Sequence, residues 1–254
     1  MQTTEVLVTG GTGVLGSRVT DCLHTRGYSV RVLSRRGSSG TVRGDLATGE
    51  GVEEAVAGVQ TIVHCASSPR KTHLVDVEGT ERLLRAAEGS GVSHFLYISI
   101  VGIDRNPFPY YRAKLEAERL IEHSAIQWTI LRATQFHPFV LRIVQLVDRG
   151  PLVVIPKGFL LQPIDAGEVA DRLIELALGQ PGGRAADIGG PEVRTFTNLA
   201  HAYLEASGRN KSVVEIALPG KVARAFRQGA QTCPDQKYGE VTWEDFLRAM
   251  KSPN

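Results

Sequence analysis

The first half of the chain alternates short apolar runs with stretches in which apolar residues recur every three or four positions. Short apolar runs predict buried strands, and the three-to-four spacing predicts amphipathic helices that pack on them. The predicted strands begin at Val6, Val30, Thr61, His94 and Trp128, and the predicted helices cover residues 15–23, 52–57, 72–89 and 110–123. Strands and helices that alternate with short connections predict a parallel sheet covered by helices on both faces.

The second half of the chain, after residue 136, keeps only part of this regularity. Asp165 predicts a helix start, and Gly179 predicts the end of that helix. Thr242 predicts the start of another capped helix near the C-terminus. The apolar face of that last helix would carry Trp243, Phe246, Leu247 and Met250.

Length and composition fit one globular α/β protein. The chain has 254 residues, of which 42% are hydrophobic and 22% charged, so it can bury a large core without disulfides or metals. We expect a doubly wound parallel sheet whose ligand-binding core covers residues 1–135. Residues 136–254 would complete the sheet and form a small substrate pocket within the same structural unit.

Charge and cysteine content exclude several classes of partner. The 29 Lys and Arg against 27 Asp and Glu leave a net charge of +2, too little for nucleic-acid binding. The 3 cysteines have no close pair and no metal-ligand spacing, which favours reduced thiols and no metal site. No signal peptide or long apolar run is found. We therefore expect a soluble, cytoplasmic protein with neither nucleic-acid nor membrane partners.

A glycine-rich turn follows the first predicted strand. The segment Thr9-Gly10-Gly11-Thr12-Gly13-Val14-Leu15-Gly16 contains both G-x-x-G-x-x-G and G-x-G-x-x-G spacing. A strand that enters a helix through such a turn, as in Rossmann-type folds, exposes backbone N–H groups and the positive helix end to a pyrophosphate. The alternative is a glycine-rich loop without a ligand. We predict dinucleotide contacts from Gly10, Thr12, Gly13, Val14, Leu15 and Gly16.

The end of the second predicted strand indicates which dinucleotide binds. NAD-selective sites usually end this strand with Asp or Glu, whereas this chain has Ser34-Arg35-Arg36. A guanidinium binds a 2′-phosphate through charge-assisted hydrogen bonds, and a carboxylate would repel it. The alternative is a solvated basic loop, since Arg31 and Arg43 are also nearby. We predict NADPH/NADP⁺ as the cofactor, held in part by Ser34, Arg35 and Arg36.

Tyr110 and Lys114 are the candidates for acid–base chemistry. They are four positions apart on a predicted helix, so both lie on one face, and Ser99 ends the preceding strand. Tyr111 is a rival phenol, but its four-residue partner is the apolar Leu115. The spacing therefore favours Tyr110.

Taken together, these segments resemble the short-chain dehydrogenase/reductase superfamily, in its atypical NmrA-like and NAD(P)-dependent epimerase-like branches. The resemblance covers almost the whole chain. It is carried by the glycine turn and by Gly44-Asp45-Leu46, Tyr110 to Lys114, Leu131-Arg132, Pro163-Ile164-Asp165 and Ile188-Gly189-Gly190-Pro191. It implies that Asp45 and Leu46 lie beside the adenine and that Cys65, Ala66 and Ser67 line the cofactor. Because the short atypical branch is often monomeric, we expect a monomer.

The resemblance also implies a catalytic Ser99, Tyr110 and Lys114. Hydride transfer to a carbonyl carbon builds negative charge on its oxygen, which Tyr110 would protonate. Lys114 would lower the pKa of the phenol and hold the cofactor ribose, and Ser99 would orient the substrate oxygen. Gln135, Phe136 and His137 follow the strand that begins at Trp128 and are candidate substrate contacts, with a structural role as the alternative for His137.

The expected function is an NADPH-dependent oxidoreductase that reduces a carbonyl, a quinone or a similar small molecule. Active relatives often carry an Asn for a proton-relay water, but no Asn of this chain has the expected mid-helix position: Asn106, Asn198, Asn210 and Asn254. One alternative is a non-catalytic NADP(H) sensor that acts on a protein partner. Another is an epimerase or isomerase that retains its nicotinamide.

Overall fold

The computed structural model describes residues 5–37 and 40–251, which form two compact units. The first unit comprises Met1–Ser99, Pro109–Arg132 and Val169–Ala186, and the second Ile100–Phe108, Ala133–Glu168 and Asp187–Asn254. Neither unit ends at residue 135, so the predicted extent of the ligand-binding core, residues 1–135, stays a prediction. The chain enters and leaves the first unit repeatedly, because the sheet of that unit takes its last strand from residues late in the sequence.

The elements alternate along the chain as the pattern predicted. The strands are β1 (Glu5–Thr9), β2 (Ser29–Ser34), β3 (Thr41–Arg43), β4 (Thr61–His64), β5 (His94–Ile100), β6 (Trp128–Ala133), β7 (Val153–Pro156), β8 (Leu160–Leu161), β9 (Gly183–Arg184), β10 (Arg194–Thr195) and β11 (Val213–Ile216). The helices are α1 (Val14–Thr25), α2 (Val52–Val56), α3 (Glu78–Ala87), α4 (Pro109–Glu122), α5 (His137–Val147), α6 (Ala166–Leu178), α7 (Phe196–Ala206), α8 (Lys221–Arg227) and α9 (Trp243–Ala249). A π-helical turn, His73–Val77, leads directly into α3.

The first unit is built on a Rossmann-type, doubly wound sheet. Within the described residues it has seven strands in the order β3-β2-β1-β4-β5-β6-β9. The strand pairs run parallel, with Val8 of β1 opposite Val32 of β2 and Val63 of β4. From β1 the chain winds outward to β3, then returns to β4 and winds in the other direction. This reversal opens a crevice at the carboxyl ends of β1 and β4, where such folds bind ligands.

The central strands are apolar because both faces of the sheet are covered. Val6, Leu7 and Val8 of β1 have no exposed surface. Leu7 belongs to a core cluster that includes residues of α2, α3 and α4. On the other face α1 contacts β1 and β2, and an ion pair of 3.0 Å between Arg26 and Asp171 links α1 to α6. Burial on both faces explains the nearly continuous apolar runs of the strands.

The second unit has its own core, formed by α5, α7, α9 and neighbouring strands. Its cluster includes Val140, Val153, Leu199 and Trp243. The predicted cap of α9 is confirmed, since Thr242 accepts a hydrogen bond of 3.1 Å from the Asp245 backbone N–H. Asp165 likewise caps the start of α6 by accepting a hydrogen bond of 2.7 Å from the Gly167 backbone N–H. Met250, which was predicted to lie on the apolar face of this helix, is instead its C-cap and is 56% exposed.

Helix length and hydropathy bear on membrane insertion. Across residues 5–37 and 40–251, every helix is too short or too polar to cross a lipid bilayer.

Candidate functional site

The glycine turn between β1 and α1 is packed so tightly that side chains are excluded. Gly10 has φ +68°, and the Gly13 backbone N–H donates a hydrogen bond of 2.9 Å to its carbonyl oxygen. A Cβ on Gly16 would lie 2.2 Å from the same oxygen. Gly13 is the N-cap of α1 and has no side chain to satisfy the first N–H groups of the helix. These donors are therefore available to an anion.

A cleft of about 400 Å³ lies at the carboxyl ends of β1, β2 and β4. Ten of the predicted cofactor residues line it: Gly10, Thr12, Gly13, Ser34, Arg35, Asp45, Leu46, Cys65, Ala66 and Ser67. Residues that were not predicted to contact the cofactor also line it: Leu33, Gly44, Ala47, Ser68, Lys71 and Val75. The volume and the mixture of apolar walls with a few polar groups suit a nucleotide.

Other residues predicted to contact the cofactor do not line this cleft. They are Val14, Leu15, Gly16, Arg36 and Lys114. Leu15 is 5% exposed, so its side chain packs in the core and not in the cleft. The Arg36 backbone makes two hydrogen bonds with the Ser34 hydroxyl, of 3.0 and 3.3 Å, which hold the turn after β2. Val14 is 52% exposed on the surface of α1.

Two cations, Arg35 and Lys71, line the cleft. Arg35 comes directly after β2, as the sequence predicted. Lys71 comes from the segment after β4, where its backbone N–H donates a hydrogen bond of 3.0 Å to the Ser68 carbonyl oxygen. Because residues 65–71, between β4 and the π-helical turn, have no regular pattern, the sequence carried no signal for Lys71. Bare glycine N–H groups and two cations in one cleft fit a dinucleotide phosphate.

A polar chain runs from the cleft to Tyr110. The Ser67 hydroxyl donates a hydrogen bond of 2.6 Å to Asp76 Oδ1, and the Tyr110 hydroxyl lies 2.9 Å from Ser67 Oγ. Because the Ser67 hydroxyl donates its hydrogen to Asp76, Tyr110 is the donor in the hydrogen bond between Tyr110 and Ser67. Asp76 has no exposed surface and also accepts a hydrogen bond of 3.0 Å from the Ser68 backbone N–H.

Asp76 is a site residue that sequence reasoning missed. It lies in the π-helical turn before α3, between Val75 and Val77 in the sequence, and is fully buried. An acidic residue inside an apolar helical stretch was the only available signal, and π-helical turns are frequent at functional sites. The carboxylate carries charge into the interior next to Tyr110.

Lys114 lies beneath this polar chain and is 3% exposed. Its ammonium donates a hydrogen bond of 2.9 Å to the Ile98 carbonyl oxygen and lies 4.0 Å from Asp76 Oδ1. It also stacks over the Tyr97 ring, 4.1 Å from the centroid. Burial lowers the pKa of Lys114, while the nearby carboxylates of Asp76 and Glu118 oppose that shift. Tyr110 and Lys114 are thus connected through Ser67 and Asp76.

Burial raises the pKa of Tyr110 to about 12, and the Asp76 carboxylate acts in the same direction. The phenol is therefore protonated at neutral pH. The predicted lowering of this pKa by Lys114 is not found in this structure, because the ammonium is directed at Ile98 and Asp76. A protonated phenol is suited to donate a proton, as a reduction requires.

The structure does not bring Ser99 into this group. Its side chain is 2% exposed, and its Oγ has no hydrogen bond of good geometry. It contributes instead to the lowered pKa of Glu118, a buried carboxylate that Arg132 also pairs with at 2.6 Å. Ser99 lies on the same face of β5 as Tyr97 and interacts with Glu118 of α4. Its assignment as a substrate ligand stays a prediction.

His64 fixes the turn and the polar chain relative to each other. Its Nδ1 is 2.6 Å from Thr9 Oγ1, and its Nε2 is 3.0 Å from Thr80 Oγ1. Thr80 Oγ1 in turn donates a hydrogen bond of 2.6 Å to the Asp76 carbonyl oxygen. Because the Thr80 hydroxyl donates its hydrogen to that carbonyl, it can only accept from His64. His64 therefore donates from Nε2 to Thr80 and accepts at Nδ1 from Thr9. Burial lowers the pKa of His64 to about 3, so the ring is neutral.

Two of the three predicted substrate contacts are committed to the interior of the second unit. Gln135 donates a hydrogen bond of 3.0 Å to the Gln231 carbonyl oxygen and accepts one of 3.2 Å from the Gln162 backbone N–H. His137 has no exposed surface and stacks on Phe246 with ring centroids 5.0 Å apart. Substrate contact by these two is therefore not supported, because packing occupies both. Phe136 is half-buried as the N-cap of α5.

We predict that His137→Phe makes the protein less sensitive to acid. Burial lowers the pKa of His137 to about 4, and both ring nitrogens lack a hydrogen bond. In the unfolded chain this histidine takes up a proton near pH 6.5, whereas in the folded chain it does so only near pH 4. The free energy of unfolding therefore falls as the pH decreases from 6.5 to 4. One such histidine contributes a slope of about 1.4 kcal/mol per pH unit.

The measurement is urea unfolding at pH 7 and pH 5. Phe keeps the stack on Phe246, so we expect stability at pH 7 to change little and its loss at pH 5 to shrink by about 2 kcal/mol. His123→Phe, an exposed position, is the control and should leave the pH dependence as it is. An unchanged pH dependence in His137→Phe would contradict the assignment of a neutral buried ring.

Comparisons with known proteins agree with this geometry. A family model described as NAD(P)H-binding matches residues 10–138. The photosystem II assembly factor Ycf39 of Cyanophora paradoxa is 23% identical over 231 residues, covering 84% of this chain and 72% of that protein. The NAD(P)H azoreductase of Xenophilus azovorans is 26% identical over 226 residues, covering 84% of this chain and 77% of that protein.

A solved structure shares the fold at lower identity. The NADPH-dependent quinone oxidoreductase QOR2 from Escherichia coli, complexed with NADPH, superposes with a TM-score of 0.81 over 97% of this chain and 100% of that one. At 16% identity this likeness concerns the fold alone. The family model, by contrast, spans half of the chain and includes the glycine turn, Arg35, Ser67, Tyr110 and Lys114. The chain therefore belongs to the NAD(P)H-binding family, within the atypical short-chain dehydrogenases/reductases of the Rossmann-type fold.

Proposed function

We propose that this protein is an NADPH-dependent reductase of a carbonyl compound, a quinone or a similar small molecule. The observation that carries the proposal is the hydrogen bond of 2.9 Å between the Tyr110 phenol and Ser67, a residue that lines the nucleotide cleft. This hydrogen bond connects the protonated Tyr110 phenol to the nucleotide cleft, which contains the bare glycine N–H groups and the two cations Arg35 and Lys71. The similarity to an azoreductase supports reduction as the reaction class.

The chain's own residues have separate tasks in this proposal. The glycine turn binds the pyrophosphate, and Leu46 and Ala47 provide an apolar wall for the adenine. When bound, the reduced nicotinamide supplies the hydride. Tyr110 donates its proton to the substrate oxygen as negative charge develops there, and solvent later returns a proton to the phenolate. Asp76 holds Ser67, so that the hydroxyl contacted by Tyr110 has one orientation.

Selection of NADPH over NADH rests on charge at the end of β2. Arg35 lines the cleft next to Ser34, and no acidic side chain follows β2. A guanidinium pairs with a 2′-phosphate, whereas the 2′-hydroxyl of NADH offers no charge to it. Lys71 adds a second cation to the same cleft.

We predict that Arg35→Ala weakens NADPH binding about 10- to 100-fold, the value of one charge-assisted hydrogen-bond pair. Binding of NADH should change little, since it lacks the 2′-phosphate. Arg36→Ala removes the same charge from a residue that does not line the cleft, and should affect both cofactors little. Titration of the three proteins by calorimetry measures the ratio of the two dissociation constants. An equal loss for NADPH and NADH in Arg35→Ala would overturn the assignment.

A turnover assay tests the reaction class. Purified protein with saturating NADPH is mixed with a panel of quinones, ketones and azo compounds, and absorbance of the reduced nicotinamide is followed. We expect stoichiometric oxidation with at least one class. Saturable NADPH binding with no oxidation across the panel would overturn the reductase proposal.

Such a result would favour a sensor that binds NADP(H) without turnover. Two observations support this second candidate. The Ser99 hydroxyl is buried and has no hydrogen-bond partner of good geometry, and one similar protein, Ycf39, is named as an assembly factor. A sensor would bind NADPH and NADP⁺ with different affinities and pass the difference to a protein partner.

A further inference from the structure

In the second unit, β7 and β11 form a small parallel sheet with one face buried and one face open. Val153 and Ile155 point inward and have no exposed surface. The alternate residues point outward. We call them the outer face: Leu152, Val154, Val214, Ile216 and Leu218, with exposed fractions of 47%, 43%, 39%, 43% and 36%.

Apolar exposure is concentrated on this outer face. Val154 pairs with Val214 across the two strands, and Ile216 pairs with Pro156, so their side chains are neighbours. The outer face holds 5 of the 12 most exposed large hydrophobic side chains among the described residues. Single exposed apolar residues are ordinary, but a contiguous group of this kind marks an interaction surface.

A basic rim borders the outer face. Lys157 and Arg227, with Ala217, Leu218 and Pro219, line a depression of about 220 Å³. The Arg227 guanidinium donates a hydrogen bond of 2.8 Å to the Leu218 carbonyl oxygen, which holds it at the edge of the outer face.

Helix α8 adds two further exposed cations, Lys221 and Arg224. Within the part of the chain that the structure describes, Lys157, Lys221, Arg224 and Arg227 form no ion pair. The acidic residue nearest in sequence, Glu215, accepts a hydrogen bond from Thr197. Unpaired positive charge beside an apolar surface is complementary to an anionic, amphipathic partner.

We propose that this face docks on a membrane surface that contains anionic phospholipid. A lipid phosphate would lie between Lys157 and Arg227, and the outer-face side chains would enter the boundary between headgroups and acyl chains. A second copy of the chain fits less well, because a symmetric contact would bring two basic rims together. Free phosphate would leave the apolar face without a partner.

This inference is independent of the proposed reductase function and revises the expectation of no membrane partner. The net charge of +2 for the whole chain conceals the rim, since acidic residues elsewhere cancel it. Peripheral docking needs no spanning helix, only apolar side chains and cations on one face.

The test is co-sedimentation of the full chain with vesicles. One set contains phosphatidylcholine alone, and the other contains about one quarter phosphatidylglycerol. We expect binding only to the anionic set, and loss of that binding when NaCl is raised from about 0.1 M to 1 M. No binding to the anionic vesicles at 0.1 M would overturn the proposal.

Two paired variants with matched controls decide which residues act. The Lys157→Gln, Arg227→Gln double variant should lower the partition coefficient about 25-fold, or about fivefold for each cation. Arg119→Gln with Lys251→Gln removes equal charge outside the rim and should keep most of the binding. Equal loss in the two double variants would overturn the proposal in favour of unspecific attraction.

The apolar contribution is tested with Val214→Ser combined with Ile216→Ser, and Met250→Ser as the control exposed residue. We expect the first pair to lose anionic-vesicle binding and the control to keep it. If circular dichroism shows that the Val214→Ser, Ile216→Ser variant does not fold, the result with the Lys157→Gln, Arg227→Gln variant alone decides the proposal. Inorganic phosphate that displaces the protein from vesicles at millimolar concentration, or a dimer in sedimentation that the serine pair dissociates, would overturn the membrane assignment. NADPH affinity, measured in parallel, keeps this outcome separate from that of the proposed function.

Discussion

The Tyr110→Phe variant is expected to bind NADPH as tightly as the parent protein but to lose turnover about 100- to 10,000-fold, the usual contribution of a positioned acid. Only the hydroxyl is removed, so the ring keeps its packing against Tyr111, whose centroid lies 6.1 Å away. On the proposed mechanism the variant cannot protonate the developing oxyanion, while the cleft residues proposed to hold the phosphates are untouched. The loss should therefore appear in kcat and not in the cofactor dissociation constant.

Tyr111→Phe is the matched control for this experiment. It removes a hydroxyl from the adjacent position on α4, where the side chain is 6% exposed and its pKa is raised by burial. We expect its turnover to stay within about threefold of the parent. If Tyr111→Phe loses activity and Tyr110→Phe does not, the roles of the two phenols are exchanged. If neither loses activity, the proton comes from another group.

The Gly16→Ala variant is expected to lose NADPH binding by at least about 100-fold and to unfold more easily by about 1–3 kcal/mol. The added Cβ would lie 2.2 Å from the Gly10 carbonyl oxygen and 2.9 Å from Gly11 Cα. Backbone atoms cannot turn aside as a flexible side chain can, so the turn must move away from α1. The N–H groups that we propose to bind the pyrophosphate would then no longer converge on one point.

Calorimetry with NADPH and urea unfolding measure the two effects of Gly16→Ala. Gly182→Ala is the matched control, because its nearest neighbour to an added Cβ is the Gln180 carbonyl oxygen at 4.0 Å. That variant should bind NADPH normally and be as stable as the parent or slightly more stable, since Ala restricts the unfolded chain. Normal NADPH affinity in Gly16→Ala would contradict the role of the turn.

Local features of the fold were readable from the sequence because each depends on neighbours along the chain. Apolar periodicity predicted β1, α1 and the later alternating elements, since burial on one or both faces acts residue by residue. The glycine turn was readable for the same reason, because strand, turn and helix are contiguous. The caps of α6 and α9 involve residues two or three positions apart.

Other features could not be read from local pattern. Strands β3 and β9 have 3 and 2 residues, too few for a periodic signal. The polar residues Gln135 and His137 looked available for a substrate, because their burial depends on residues more than 90 positions later, such as Gln231. Lys71 and Asp76 had no motif to mark them.

The sequence by itself determined the alternating strands and helices, the glycine turn between β1 and α1, and the placement of Tyr110 and Lys114 on one helix, because short-range spacing specifies each of them. Only the tertiary structure decided that Ser67, 43 positions before Tyr110, contacts its phenol, and that Asp76 lies between this contact and Lys114. It also decided that Ser99 is buried and that the outer face lies open beside a basic rim. These contacts depend on which distant segments fold together, and no local pattern records that choice.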